Sequence, residues 1–461
     1  MKQQKIVLGV APTKRGFLSM AEAKRQKDKF MAVIREIHPD VVTLVDIDDL
    51  CENGILFETD KIPQVVEKFR QAKIDALFTP HCDFGEEQCA AGVAAALKVP
   101  TLMWGARDER PNTDESRGRD TQCGMFACTK VMRRFGVQYS YIWNCETESD
   151  DFKNGFDSFI RVVAVVKTVK NLRIAKFGAR PEPFMSVMAN EGDLATKLGV
   201  TVVPVSPTAV AARMDKMIGE GSPRLAEYVE SVKSRMDASS MEEKQVVRAA
   251  AAKLAVQDLM EEKHCGAGAM ECWSAVPILG APVCMALGEL ADEGLPVSCE
   301  TDVNGAVTMA MLQAVTLGKE ASFLADLTIR HPQNDNAELL WHCGPFPYSL
   351  KAESSKARLV DGQERFELKQ GHLTVFRFDD IDGKYYLFAG EGDTTTGPET
   401  NGTYVWFEVD DWKRWEEKLM FGPYIHHLGG AYGNYLPVLR EVARYLEIEF
   451  DNAHEQGVHS L

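Results

Sequence analysis

Strand-length apolar runs alternate with helix-length periodic segments through the first 172 residues, and that alternation narrows the possible folds more than any other feature of the chain. KIVLGVAP, VVTLVDID, IDALFTPH, VPTLMWGA and VQYSYIWN have the near-continuous apolar character of strands covered on both faces. Residues 18–37, 60–73, 86–97 and 121–136 carry helical periodicity between them, and 152–170 follows the last strand. Strands linked through helices run parallel with right-handed crossovers, so the helices must cover both sheet faces. The expectation is a doubly wound α/β domain of the flavodoxin type over residues 1–172. Its polar loops fall at the edge where such sheets bind ligands: Thr13-Lys14-Arg15-Gly16, His81-Cys82-Asp83-Phe84-Gly85 and Arg107-Asp108-Glu109-Arg110. No GxGxxG or GxxxxGK[ST] follows any of these strands, which disfavours a nucleotide cofactor.

The chain has 461 residues, enough for about three domains at ~150 residues each. A second α/β domain is expected over 173–328. LRIAKFG and TVVPVS read as strands and 185–198 as a helix; a charged helical region at 207–263, best read as solvated faces, precedes the strand-like GAMECW and a helix at 278–293. From 329 to 461, short alternating segments (HLTVFRF, KYYLFAG, TYVWFEV) broken by DDIDGK and GDTTTGPETNGT predict a mainly antiparallel β domain. The fold class is therefore α/β, two doubly wound domains followed by a β-rich C-terminal domain. No apolar run approaches the ~20 residues of a membrane span, and the N-terminus reads as a first strand rather than a signal peptide, so a cytoplasmic protein is expected. Eleven scattered cysteines without CxxC pairs, several in apolar settings (Cys51, Cys128, Cys284, Cys299), suit reduced buried thiols. A formal net charge of −16 argues against a nucleic-acid partner.

Two carboxylates stand out within 296–330. Glu300 and Asp326 each end a short apolar strand-like run, with one helix's length of apolar sequence between them. Read as a strand–helix–strand unit, this places the strands parallel and adjacent, with both acids on one edge. His342 lies in an apolar segment bounded by Gly and Pro, and His426-His427 in what reads as a Gly-rich turn before a helix. Two carboxylates with one or two imidazoles make an oxygen and nitrogen set for Mn²⁺, Co²⁺, Fe²⁺ or Zn²⁺, and the lack of thiolate favours the harder ions.

These segments resemble a known family. Glu300-Thr301-Asp302-Val303-Asn304-Gly305, the helix after it, Ala325-Asp326-Leu327, and His427 ahead of the final helix and LEIEF look like the metal-site segments of L-fucose isomerases. The related L-arabinose isomerases place a further histidine after the second acid at a spacing similar to that from Asp326 to His342. The resemblance implies an aldose–ketose isomerase with a divalent metal, usually Mn²⁺ with Co²⁺ as an alternative. Its ligands would be Glu300, Asp326 and His427, with His342 as a fourth carried over from the arabinose enzymes. Glu300 and Asp326 would also be the acid/base pair of an enediol mechanism on a deoxy or modified hexose, or a pentose. The chain is shorter than typical fucose isomerases and mixes features of both groups, so the sugar is left open. The resemblance further implies a trimer or hexamer in which Arg15 reaches a sugar, often in a neighbouring subunit's site. His81, Trp341 and Asn434 are further candidate sugar contacts, as are Asp83, Trp104, Gln122, Arg180 and Trp273, while Arg15, Arg107, Arg110 and Arg180 could meet an anionic substituent. Competing classes are a non-catalytic sugar-binding protein, which needs no acid pair beside histidines, and a metal-dependent hydrolase.

Overall fold

A computed structural model describes residues 5–111 and 117–457. The chain forms two compact units, one through Lys167 and the other from Thr168 onward. The first contains β1 (Ile6–Val10), α1 (Met20–Glu36), β2 (Val42–Val45), α2 (Ile62–Gln71), β3 (Ala76–His81), α3 (Glu87–Leu97), β4 (Thr101–Gly105), α4 (Thr121–Arg134), β5 (Tyr139–Tyr141) and α5 (Asp150–Lys170), whose last residues pass into the second unit. All pairings are parallel in the order β2-β1-β3-β4-β5, the flavodoxin order that the alternation predicts. Every residue of β3 is buried, as a central strand covered on both faces requires.

The second unit begins with β6 (Arg173–Phe177), α6 (Glu191–Asp193), β7 (Thr201–Val205), α7 (Pro207–Gly219), α8 (Pro223–Arg235), α9 (Glu243–Glu262), β8 (Ala267–Met270), α10 (Val276–Leu279), α11 (Cys284–Asp292) and β9 (Val297–Ser298). Its four strands run parallel in the order β7-β6-β8-β9. The helix expected over 185–198 starts late, because the Asn190 side chain accepts from the Asp193 N–H and caps a short α6. α9 is not the solvated helix its charges suggest: Ala249–Val256 are buried, and Lys253 is buried against Glu293 at 2.5 Å.

Then follow α12 (Val303–Val315), β10 (Phe323–Arg330), β11 (Ala337–His342), β12 (Arg358–Val360), β13 (Gln363–Glu367), β14 (His372–Ile381), β15 (Lys384–Thr395), β16 (Thr403–Glu408), α13 (Trp412–Phe421), β17 (His427–Tyr432), α14 (Leu436–Leu446) and β18 (Glu449–Asn452). A mostly antiparallel sheet has the order β12-β13-β16-β11-β10-β17-β14-β15-β18, and a further β15–β16 pairing closes its six central strands into a ring. The β14–β15 hairpin turns at Asp382-Gly383, both at positive φ, as a tight Asp-Gly hairpin requires.

Two expectations fail here. β9 and β10 are not parallel neighbours: β9 pairs with β8 in the parallel sheet, whereas β10 lies antiparallel between β11 and β17. The link between them, α12, is buried at every position and packs on β8 and β9 of one sheet and on β14 and β17 of the other. A helix apolar all round is a core helix, and here it spans two sheets instead of folding back on one. His427 is also not in a turn but opens β17, a central strand. Gly429 and Gly430 serve close packing, since a Cβ at Gly429 would meet Thr308 Cγ2 at 2.6 Å and one at Gly430 would meet Phe323 Cζ at 2.3 Å. Among the described residues, no single helix is long and apolar enough to cross a membrane. The eleven cysteines are free.

Candidate active site

Glu300 follows β9 in an unusual backbone: φ is 49° at Glu300 and 55° at Thr301. Left-handed residues that are not glycine cost about 1–3 kcal/mol each, so the surroundings must hold them. Thr301 N–H donates to the Met270 carbonyl at 3.0 Å, and its hydroxyl donates to the Ala179 carbonyl at 2.9 Å. Asp302 then caps α12 by accepting from the Gly305 N–H at 2.8 Å. Asp326 sits within β10, in register with His427 of β17 on one side and Trp341 of β11 on the other. His342 is the last residue of β11.

These elements bring four side chains to one point. His427 Nε2 lies 3.3 Å from Asp326 Oδ1 and 3.6 Å from Glu300 Oε2, and His342 Nε2 lies 3.7 Å from Glu300 Oε2 and 3.9 Å from Asp326 Oδ1. Glu300 Oε2, Asp326 Oδ1 and His342 Nε2 are buried without a hydrogen-bond partner among the described residues. In an octahedral site with bonds of ~2.1 Å, adjacent ligand atoms stand ~3.0 Å apart and opposed ones ~4.2 Å. The four imidazole–carboxylate separations fall in that interval, the spacing that ligands of one divalent cation would have. His426 Nε2 is 3.9 Å from Asp326 Oδ1, and Asp326, His426 and His427 form one of the groups able to hold a metal.

Electrostatics point the same way. Burial raises the Glu300 carboxyl above its ordinary range, and the Asp326 charge adds to this against the pull of both histidines. Burial alone would lower His342, but the Asp326 charge and the Cys343 sulfur outweigh it and push the imidazole up to about 10. Two buried carboxylates facing these imidazoles leave the pocket short of positive charge.

The outer ring of partners was not singled out from sequence. His427 Nδ1 is hydrogen-bonded to Asp302 Oδ2 at 2.8 Å, which leaves Nε2 directed at the acids. Asp302 is also held by Arg377, Nη1 to Oδ2 at 2.5 Å and Nη2 to Oδ1 at 3.1 Å. Arg377 Nε reaches Asp379 Oδ2 at 2.9 Å, and Asn304 Nδ2 reaches Asp379 Oδ1 at 2.9 Å. Burial would raise Asp302, but Arg377 and His427 hold it well below the usual carboxylate range. One signal was present: Arg377 has the parity of Leu373 and Val375 along β14, and a charge on an apolar strand face implies a buried partner.

The remaining candidates are dispersed. Trp341 is half-buried, its Nε1 donates to the Asn401 carbonyl at 2.5 Å, and its ring is tilted 13° from that of His342. Asn434 is exposed just beyond β17. Arg180 belongs to the loop after β6, which Thr301 ties down at Ala179 and whose Phe184 ring lies 5.6 Å from the His427 ring. Gly178 in this loop has φ +86°, and a Cβ there would fall 2.1 Å from Glu271 Oε2, the acceptor for the Ala179 N–H. Arg180 Nη1 donates to the carbonyls of Pro181 and Glu182, and no ion pair involves it among the described residues. Trp273 is exposed.

Arg15 and His81 belong to the N-terminal unit. Arg15 pairs with Glu86 at 3.2 Å and lies over the Phe84 ring. His81 is buried at the end of β3, its Nδ1 bonded to the Phe84 carbonyl at 3.0 Å, and burial lowers it to about 4. Asp83, Trp104 and Gln122 lie in the same unit.

A family model described as fucose/sulfoquinovose isomerase, N-terminal domain, matches residues 9–170, and one described as L-fucose isomerase, C-terminal domain, matches 361–454. His427, Arg377 and Asp379 lie within the second match, whereas Glu300, Asp326 and His342 fall between the two. A sulfoquinovose isomerase of Alkalicoccus urumqiensis is 27% identical over 340 residues, covering 72% of this chain and 75% of that protein. A sulfoquinovose isomerase of Priestia aryabhattai is 24% identical over 410 residues, covering 86% and 89%.

Proposed function

Because the chain belongs to the L-fucose isomerase-like family and is an aldose–ketose isomerase of a modified sugar, we propose that its substrate is a sulfonated hexose of the sulfoquinovose type and its metal is Mn²⁺. The observation that carries the site assignment is the convergence of Glu300 Oε2, Asp326 Oδ1, His342 Nε2 and His427 Nε2 within 3.3–3.9 Å contacts, three of these atoms being otherwise unpartnered. These four residues hold the cation. When bound, it supplies Lewis acidity that polarises the sugar's carbonyl and hydroxyl oxygens.

The residues do the proton work. Isomerisation removes a hydrogen from C2 of the aldose and returns one to C1, so a base must stand at the carbon while a second group moves the hydroxyl proton. Glu300 and Asp326 are the pair in these roles. Burial raises the Glu300 carboxyl, the direction that helps a base keep the proton it has taken. Asp302 and Arg377 fix the His427 ring, and Trp341 and Phe184 supply apolar walls for the sugar. Arg180, tied beside Glu300 through the Ala179–Thr301 bond and in no ion pair among the described residues, receives the sulfonate. Arg15 and His81 act in a neighbouring subunit's site of a homo-oligomer, and Asn434 lines the rim.

The test is to strip the protein of metal, restore Mn²⁺, and incubate it in D₂O with sulfoquinovose, its unsulfonated 6-deoxy parent, fucose and arabinose. Sulfoquinovose should convert to its ketose with deuterium at C1, only with metal present. If no sugar interconverts under these conditions, the proposal fails.

A further inference from the structure

Behind the carboxylate–imidazole cluster lies a group of thiols that isomerisation does not use. Cys284 Sγ and Cys343 Sγ are 3.4 Å apart, and Cys343 Sγ is 3.3 Å from His342 Nδ1. Cys299 Sγ lies within 4.8 Å of the sulfurs of both Cys343 and Cys272, so four sulfurs from separate segments meet. Cys272 follows β8, Cys284 opens α11, Cys299 follows β9 and Cys343 follows β11. Donor atoms of Cys299, His342 and Cys343 all lie within 4.8 Å of one another, as do those of Cys272, Cys299 and Glu300. Cys272, Cys284 and Cys299 are buried, while Cys343 is half-buried and opens the cluster to solvent.

We propose that Cys284, Cys299 and Cys343 form a second metal site, for thiophilic cations of the zinc, cadmium and cuprous class, with the His342 imidazole at its edge. Thiolates bound at ~2.3 Å in a tetrahedral site stand ~3.8 Å apart; Cys343 is 3.4 Å from Cys284 and within 4.8 Å of Cys299, so it is the sulfur that links the other two. Soft sulfur donors discriminate against Mn²⁺ and for thiophilic ions, so the two adjoining sites sort cations by chemistry. Each thiol that binds releases its proton to solvent. A cation held there draws the Cys343 sulfur away from His342 Nδ1, which keeps the bond it accepts from the Cys343 N–H at 2.9 Å, and adds positive charge next to the oxygen–nitrogen cluster. Occupancy of the thiol site therefore opposes occupancy of its neighbour.

The test uses Cd²⁺ as the probe on the full chain with Cys123→Ser, which removes the exposed thiol, first in metal-free protein and then with saturating Mn²⁺, which should weaken the binding. The readouts are thiolate-to-cadmium charge-transfer absorption and ¹¹³Cd NMR, neither of which depends on turnover or on the identity of the sugar. One equivalent of Cd²⁺ should give the charge-transfer band and a sulfur-dominated chemical shift. Cys284→Ser with Cys299→Ser should weaken that binding at least tenfold, whereas Cys265→Ser, a buried thiol elsewhere, should leave it intact. A first equivalent without the band, or with a shift typical of oxygen and nitrogen ligands, overturns the proposal in the parent protein whatever the variants do. A band that survives Cys284→Ser with Cys299→Ser overturns it as well.

Discussion

Replacing Asp302 by Asn separates the outer partners of the candidate site from the four residues that converge within it. Asp302 is wholly buried and touches His427 Nδ1, both terminal nitrogens of Arg377 and the Gly305 N–H. Asn keeps the shape. Its carbonyl oxygen can serve either the α12 cap and Arg377 or His427, but its amide can only donate. If the amide faces His427, Nδ1 becomes an acceptor and the ring proton moves to Nε2, the atom aimed at Glu300 and Asp326. Losing a carboxylate behind a metal-binding histidine typically costs 10–100-fold in affinity, about 1.4–2.7 kcal/mol. The same substitution leaves Arg377 with only Asp379. Removing one partner of a buried ion pair costs about 3–5 kcal/mol, and the remaining carboxylate sets the expectation at the lower end, about 3 kcal/mol. Calorimetric Mn²⁺ titration of the folded protein reads the first effect, and urea unfolding of the metal-free protein reads the second. Asp379→Asn is the control, since it disturbs Arg377 without touching His427 and should lower stability while sparing Mn²⁺ affinity more. Wild-type Mn²⁺ affinity in folded Asp302→Asn would refute the assigned role of the Asp302–His427 bond.

Other outcomes follow from single residues. Arg180→Met should raise KM for the sulfonated hexose 10- to 150-fold, the worth of about 1.5–3 kcal/mol for a charged hydrogen bond, and leave the unsulfonated 6-deoxy sugar unchanged; steady-state kinetics on the two sugars decide it. Gly429→Ala should cost about 1–3 kcal/mol in urea unfolding, because its Cβ would meet Thr308 Cγ2 at 2.6 Å and Leu312 Cδ1 at 2.7 Å. Glu364 is fully buried with both carboxyl oxygens unpartnered, and burial, reinforced by Glu289 and Asp292 against Arg235, raises it well above the usual range. Its protonated form is thus favoured by folding: the contribution is complete below the unfolded pKa of about 4.3 and is lost as pH rises toward the folded value, at up to ~1.4 kcal/mol per pH unit. Glu364→Gln should remove that slope, and denaturation measured across pH checks it.

The first unit was legible because each strand is a short run buried on both faces and each helix has its own period, so local pattern and topology coincide. The four converging donors were legible for a different reason: carboxylates and imidazoles next to apolar runs are chemically conspicuous. Sheet membership was not. The apolar run before Asp326 announces a strand, but nothing local in it distinguishes a parallel partner after β9 from antiparallel partners at β11 and β17. His427-Leu428-Gly429-Gly430 reads as a turn by composition, and only the approach of α12 explains two glycines in a central strand. The thiol cluster escaped notice because Cys272, Cys284, Cys299 and Cys343 are far apart in sequence and meet only when four elements pack.

α12 joins the turn that carries Glu300 to the strand that carries Asp326, and it is enclosed along its whole length. A connector of this kind has no local mode of opening: its amides are shielded from water on every side, so their hydrogen exchange should proceed only through unfolding of the entire second unit. The two acids then lack an independent hinge between them. Any opening around the two acids must come from the surrounding loops, such as the one bearing Arg180 and Phe184, because the helix that joins them moves only with the core.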